Sequence, residues 1–174
     1  LGDVYKRQRM FNADGSEGKM CGNAIRCVGK YLYDNGIVRR EQIAIETLSG
    51  VKSLVLSAEG GTVRSVTVDM GIASVRPADV PVLSEKPMIG AEVQADGGTV
   101  RMTAVSVGNP HAVLFLPEIR SLDLEKIGPG YERHPLFPDR VNTEFARVVS
   151  RDLIEMRVWE LSLIHISEPT RRTP

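Results

Sequence analysis

The 174 residues carry 22 Lys plus Arg against 22 Asp plus Glu, and 42% of them are apolar. Balanced charge excludes the basic surplus of a nucleic-acid binder and the acidic excess of a solvating tail, while the apolar share is enough for one ordinary core or two small ones. No apolar run approaches the ~20 residues that cross a bilayer, and two cysteines, Cys21 and Cys27, are too few for a disulfide framework, which points to a cytoplasmic protein with reduced thiols, no membrane attachment, and small molecules or other chains as partners.

In chain order, residues 1–8 show neither periodicity nor the apolar segment of a signal peptide and read as a non-native tail. Met10 to Gly18 is rich in Asn, Asp, Ser and Gly and is expected to be a loop. Ile25, Val28, Tyr31 and Leu32 recur at spacings of three and four, and Asn35-Gly36 supplies a left-handed stop, so a helix is expected over Gly22 to Asp34 with Cys21 at its entrance. Cys27 lies inside that helix among apolar residues and is assigned to packing.

The period then changes to two. Ile43, Ile45 and Thr47, then Val51, Leu54 and Leu56, then Val63, Val66 and Val68 alternate as strands broken by Ser49-Gly50 and Gly60-Gly61, and are expected to be antiparallel neighbours. Pro77, Pro81 and Pro87 punctuate a stretch that cannot be central sheet, because proline lacks the ladder donor. Further strands are expected at Thr99 to Val107, His111 to Leu116, Val141 to Val149 and Leu153 to Trp159, with turns at Gly108-Asn109-Pro110 and Gly128-Pro129-Gly130 and a short helix over Leu122 to Ile127. Many strands with few helices and no regular βαβ alternation predict an α+β fold. Residues 9–70 and 71–160 are expected to form parts of two lobes, and residues 161–174 a second non-native tail resembling translated vector sequence.

Among chemically capable residues, Cys21 at a helix entrance faces unpaired backbone N–H groups and the positive helix end, which favour thiolate, and Gly22 permits close approach of a ligand. An inert buried cysteine is the competing reading. Gly108-Asn109-Pro110-His111 sets an amide and an imidazole on a tight connection, where functional groups often lie, although a capping asparagine and a surface histidine have the same local signature. Four residues separate Cys21 from Arg26, one fewer than a cysteine-phosphatase loop needs to wrap a phosphate, and the cysteines and histidines show no zinc-site spacing. No metal site is therefore expected.

Phe11-Asn-Ala-Asp-Gly-Ser-Glu17, Met20-Cys-Gly-Asn-Ala-Ile-Arg-Cys27, Ser106-Val-Gly-Asn-Pro-His111 and Arg140-Val-Asn-Thr-Glu-Phe145 together resemble, in order, the signatures of diaminopimelate epimerases. The resemblance covers about Met10 to Glu160. It implies two pseudo-symmetric lobes of mostly antiparallel strands around a central helix, both incomplete here, and interconversion of LL- and meso-diaminopimelate for lysine and peptidoglycan synthesis. The reaction would run without pyridoxal phosphate or any other cofactor, in a homodimer. Two cysteines on opposite faces of the α-carbon would act as base and acid. By the same resemblance Cys21, His111 and Glu160 are catalytic, with His111 and Glu160 each tuning one thiol, while Asn12, Gly22, Asn23, Asn109 and Asn142 bind substrate. From Leu161 the match fails and the second cysteine motif of the family is not found, so the chain is expected to be an internal fragment that cannot epimerise substrate. Two other readings stand beside this one: a thiol hydrolase using Cys21, His111 and Asn142, and an amino-acid-binding lobe without turnover.

Overall fold

A computed structural model describes residues 5–11, 15, 17–95 and 97–160 of the chain. The chain divides between Ile72 and Ala73 into two units, and the architecture is α+β. In the first, β1 (Tyr5–Arg7), β2 (Met10–Phe11), β3 (Glu17–Gly18), α1 (Gly22–Asp34), β4 (Gln42–Thr47), β5 (Gly50–Glu59) and β6 (Thr62–Val68) follow in order. The sheet runs β1-β4-β5-β6, with β1 parallel to β4 and the remaining neighbours antiparallel. Tyr5–Arg7, grouped on sequence with a non-native tail, thus form the edge strand of this sheet. Residues 161–174, the other tail, lie outside the described residues.

Alternation along β5 is the reason it is a strand: Lys52, Leu54 and Leu56 are buried while Val51, Ser53, Val55 and Ser57 are exposed. Ile25 of α1 joins Leu54, Leu56, Ile43, Ile45 and Val63 in the core. The approach is close. A Cβ placed on Gly29 would lie 2.8 Å from Leu54 Cδ2 and 3.2 Å from Leu56 Cδ2. Helix α1 stops at Asn35, whose amide Nδ2 donates to the Tyr31 carbonyl at 2.9 Å, and Gly36 takes the left-handed turn at φ +68°. Cys27 does not pack as expected but is exposed. At ~100° per residue it stands about 200° around the helix from buried Ile25.

The C-terminal end of α1 is pinned to β6. Lys30 lies 2.6 Å from Asp34 and also donates to the Val63 carbonyl at 2.7 Å, while Val63 N–H donates to Asp34 at 2.8 Å. The Lys30 ammonium first, and the Val63 N–H second, hold the Asp34 carboxyl below the ordinary carboxylate range. A depressed carboxylate stabilises the fold above its unfolded value of about 3.9, and that contribution is lost as pH falls through the folded value. Asp34→Asn is therefore expected to lower the melting temperature near pH 7, with the gap to the wild-type chain closing below about pH 4. Melting curves followed by circular dichroism across this range check it; a gap that stays constant with pH would refute the linkage.

In the second unit β7 (Ala91–Ala95), β8 (Gly98–Ser106), β9 (Pro110–Phe115), α2 (Leu124–Glu132), β10 (Asn142–Ser150) and β11 (Leu153–Trp159) form a sheet ordered β11-β10-β9-β8-β7 with one helix. Strand β7 was not expected from sequence, but it lies past Pro87 and at the sheet edge. All pairs are antiparallel except β9 and β10, which run parallel and are joined through α2. That crossover is one βαβ step in an otherwise antiparallel unit.

Helix α2 also departs from expectation. It starts where Asp123 accepts the Lys126 N–H and continues through Gly128, Pro129 and Gly130, the residues read as a turn. Leu124 and Tyr131 enter the core beside Ala112, Leu114, Val141 and Phe145, with the Tyr131 and Phe145 rings meeting edge-on at 5.3 Å. At the far end of α2, buried Glu132 receives the Trp159 indole N–H at 2.8 Å and an Arg140 N–H at 3.2 Å, tying the helix to β11 and to the approach to β10.

Candidate active site

Cys21 is the N-cap residue of α1. Its backbone is extended, at φ −138° and ψ 115°, and its carbonyl accepts the Ile25 N–H at 3.0 Å while its Sγ accepts the Ala24 N–H at 3.5 Å. These two bonds use the third and fourth donors of the helix start. The N–H groups of Gly22 and Asn23 are left without an acceptor inside the helix. No acidic residue sits in the first turn to oppose an anion there. The thiol is free and half-buried, next to buried Met20, so it is both held and reachable.

Gly22 would accommodate a Cβ, since the nearest atoms, Met70 Sδ and Cε, are at 3.8 Å. Packing within this unit does not require glycine at that position. The Asn23 side chain is exposed, and its Oδ1 receives the Arg26 guanidinium in a short contact. What Asn23 offers from the helix start is thus its backbone N–H. Asn12, assigned to substrate binding, lies outside the described residues.

In the second unit the parallel register of β9 and β10 sets Asn142 beside His111 and Glu144 beside Val113. The turn leading into β9 needs Gly108, at φ +105°, which a side chain would strain. Asn109 follows, half-buried, with Oδ1 2.9 Å from His111 Nε2. The other ring nitrogen, Nδ1, is 2.5 Å from Glu144 Oε1. Buried Asn142 donates through Nδ2 to the Pro110 carbonyl at 3.3 Å. The fold therefore gathers Asn109, His111 and Asn142 into one cluster and adds Glu144, which sequence reasoning passed over. Its signal was available: two residues beyond Asn142 on a strand, it shares that residue's sheet face.

The thiol-hydrolase reading needs Asn142 to orient the His111 ring. The groups on the two ring nitrogens are instead Glu144 and Asn109. Glu160 follows the last residue of β11 and is half-buried. Among the described residues no three His, Cys, Asp or Glu side chains cluster in a way that could hold a metal ion, and no helix is long and apolar enough to cross a membrane.

Comparison with known proteins identifies the family of the chain. The sequence matches the family model for diaminopimelate epimerase over residues 3–75 and 103–162. It is 53% identical over 161 residues to the diaminopimelate epimerase of Desulfovibrio desulfuricans, covering 88% of this chain and 56% of that protein. Identity is 50% over 155 residues to the enzyme of the same name from Acetivibrio thermocellus, covering 88% and 55%. The chain thus spans little more than half the length of the curated relatives it matches.

Among solved structures, a probable proline racemase from Agrobacterium radiobacter superposes with a TM-score of 0.61 at 15% identity, over 87% of this chain and 48% of that one. A hydroxyproline epimerase from Agrobacterium vitis gives 0.59 at 17%, with the same coverage. At these identities the likeness is one of fold.

Proposed function

Because the chain belongs to the diaminopimelate epimerase family, we propose that it is the part of such an isomerase that supplies one of two proton-transferring thiols for interconverting LL- and meso-diaminopimelate. The observation that carries the proposal is Cys21 at the N-cap of α1, its Sγ on the Ala24 N–H and the Gly22 and Asn23 N–H groups facing out of the helix start. An amino-acid α-proton is weakly acidic. Removing it without an electron-sink cofactor requires a base on one face, an acid on the other, and fixed dipoles for the charge that develops on the carboxylate side. The helix start provides such dipoles and binds the substrate carboxylate through Gly22 and Asn23.

Cys21 takes or returns the proton according to the direction of reaction. Asn12, Asn109 and Asn142 hold the amine and carboxylate groups, and His111 and Glu160 each serve one thiol. The pathway is lysine and peptidoglycan-precursor synthesis in the cytoplasm, the assembly a homodimer, and no cofactor or metal takes part. With Cys21 and Cys27 its only thiols, and Cys27 out on the exposed face of α1, the 174-residue polypeptide lacks a second acid and base and does not epimerise by itself.

A chimera tests this. Residues 5–160 replace the matching segment of the Desulfovibrio desulfuricans relative, and LL-diaminopimelate is incubated in deuterated water. Deuterium is expected at one α-carbon together with the meso isomer, whereas the 174-residue chain gives neither. A folded chimera that binds diaminopimelate without exchange would leave only the binding-lobe reading.

A further inference from the structure

Buried Glu132 ends α2 with each carboxylate oxygen on a different donor: Oε2 receives the Trp159 indole N–H at 2.8 Å and Oε1 an Arg140 N–H at 3.2 Å. Its backbone carbonyl takes a third, the Val141 N–H at 3.2 Å. A buried carboxylate is costly even when paired, and apolar packing of similar volume is often as stable. What the carboxylate adds is direction, because it fixes two separate chain ends at once. Arg140, held at a left-handed φ of +63°, stands two residues before Asn142, and Trp159 stands one residue before Glu160.

Those two ends meet in the sheet. Strands β10 and β11 pair antiparallel with Thr143 opposite Trp159. The same register carried one step further sets Asn142 opposite Glu160, and facing residues of such a pair have Cβ atoms about 5 Å apart. Trp159 turns its ring to Gly128 and Glu132 on the α2 side. By strand alternation Glu160 points to the other face, which also carries Asn142, His111 and Glu144. Two residues of the proposed site thus stand side by side on one face, and Glu132 grips the chain next to each of them from the opposite face.

We infer that Glu132 is a positioning residue that sets Asn142 and Glu160 against each other by holding Arg140 and Trp159 from the α2 side of the sheet. Its two arms are separable. The bond to Arg140 fixes where β10 starts, and with it the binding of substrate at Asn142. The bond to Trp159 fixes where β11 ends, and with it the proton transfer that Glu160 serves. The effect on catalysis rests on the roles proposed above for Asn142 and Glu160; the clamp on the two strand ends does not.

In the chimera, Glu132→Gln is expected to lower kcat/KM for LL-diaminopimelate by about 10²-fold, the scale of an ångström of misplacement. Trp159→Phe keeps a ring without the N–H and is expected to lower kcat about tenfold with KM within about twofold. Arg140→Asn, which retains a residue tolerant of positive φ, is expected to raise KM about tenfold with kcat within about twofold. A purely structural role would lower the melting temperature without this split. Unchanged kcat and KM in a folded Glu132→Gln chimera, or single variants that lose kcat and KM alike, overturn the inference. The single variants decide the matter if Glu132→Gln does not fold. The 174-residue chain labelled with nitrogen-15 at tryptophan and asparagine gives a readout without turnover. There Glu132→Gln is expected to speed hydrogen exchange at the Trp159 indole and the Asn142 side-chain amide by at least about tenfold, and unchanged exchange overturns the clamp. Faster exchange in that variant, beside a parent chimera that does not turn over, would reject the epimerase proposal while leaving the clamp standing.

Discussion

Cys21→Ser is expected to lower α-hydrogen exchange in the chimera by about 10²- to 10⁴-fold, the usual contribution of a positioned acid or base, while leaving the fold intact. The two roles of this residue separate cleanly. As N-cap it accepts the Ala24 N–H through Sγ at 3.5 Å, a long and weak bond, and serine is among the best residues at that position. Helix α1 should be as stable with serine as with cysteine, or somewhat more so. The chemistry is another matter, because a hydroxyl is a far weaker acid than a thiol and cannot serve as the base near neutral pH.

Cys21→Ala is expected to lose the same activity and, in addition, about 0.5 to 1 kcal/mol of stability with the cap. Deuterium incorporation followed by proton NMR, beside thermal melts of both variants, makes the comparison. Exchange retained in Cys21→Ser would remove the thiol from the mechanism.

Gly128→Ala is expected to destabilise the second unit by about 3 kcal/mol, at the upper end of what overpacking usually costs. On an open helix the same change would stabilise by up to about 1 kcal/mol, since alanine is the better helix former. Here the sign reverses. A Cβ on Gly128 would lie 2.2 Å from Trp159 Cδ2, 2.5 Å from Cε3 and 2.6 Å from Cγ, which is contact with the flat of a rigid ring and not with the tip of a flexible chain.

The ring cannot swing aside freely, because its indole N–H is bonded to buried Glu132 at 2.8 Å. Gly29→Ala offers the contrast: its nearest obstacles are leucine methyl groups at 2.8 and 3.2 Å, which can shift, and a loss nearer 1 kcal/mol is expected. Trp159 is the only tryptophan, so urea unfolding read by its fluorescence reports on the affected contact. A Gly128→Ala midpoint equal to or above that of the parent chain would show that helix and ring do not meet as described.

The local features of the chain were legible in its sequence. The three-and-four spacing of Ile25, Val28, Tyr31 and Leu32 with the Asn35-Gly36 stop marked α1 from Gly22 to Asp34, and period-two alternation marked β4, β5 and β6. Both signals repeat within a few residues, because they record which side of one element is buried. Cysteine 21 at the helix entrance was legible for the same reason, since an N-cap is defined by the residues next to it. Cys27 was misjudged although the same periodicity, applied strictly, sets it on the exposed side of that helix.

Contacts across long stretches of chain were decided only by the tertiary structure. Gly128-Pro129-Gly130 satisfies every local rule for a turn, yet it is helical, and at Gly128 the ring of Trp159 occupies the space where a side chain would stand. Glu144 is 33 residues from His111, and nothing near either residue announces their 2.5 Å contact, which exists because β9 and β10 pair in parallel across the α2 crossover. Sequence thus determined the family signatures, the secondary structure of the first unit from α1 to β6 and the position of the thiol, while β1, β2 and β3 were read as tail and loop. Folding determined which polar groups share a site, because hydrogen bonds between distant residues depend on strand register, and register depends on the whole sheet closing around its core.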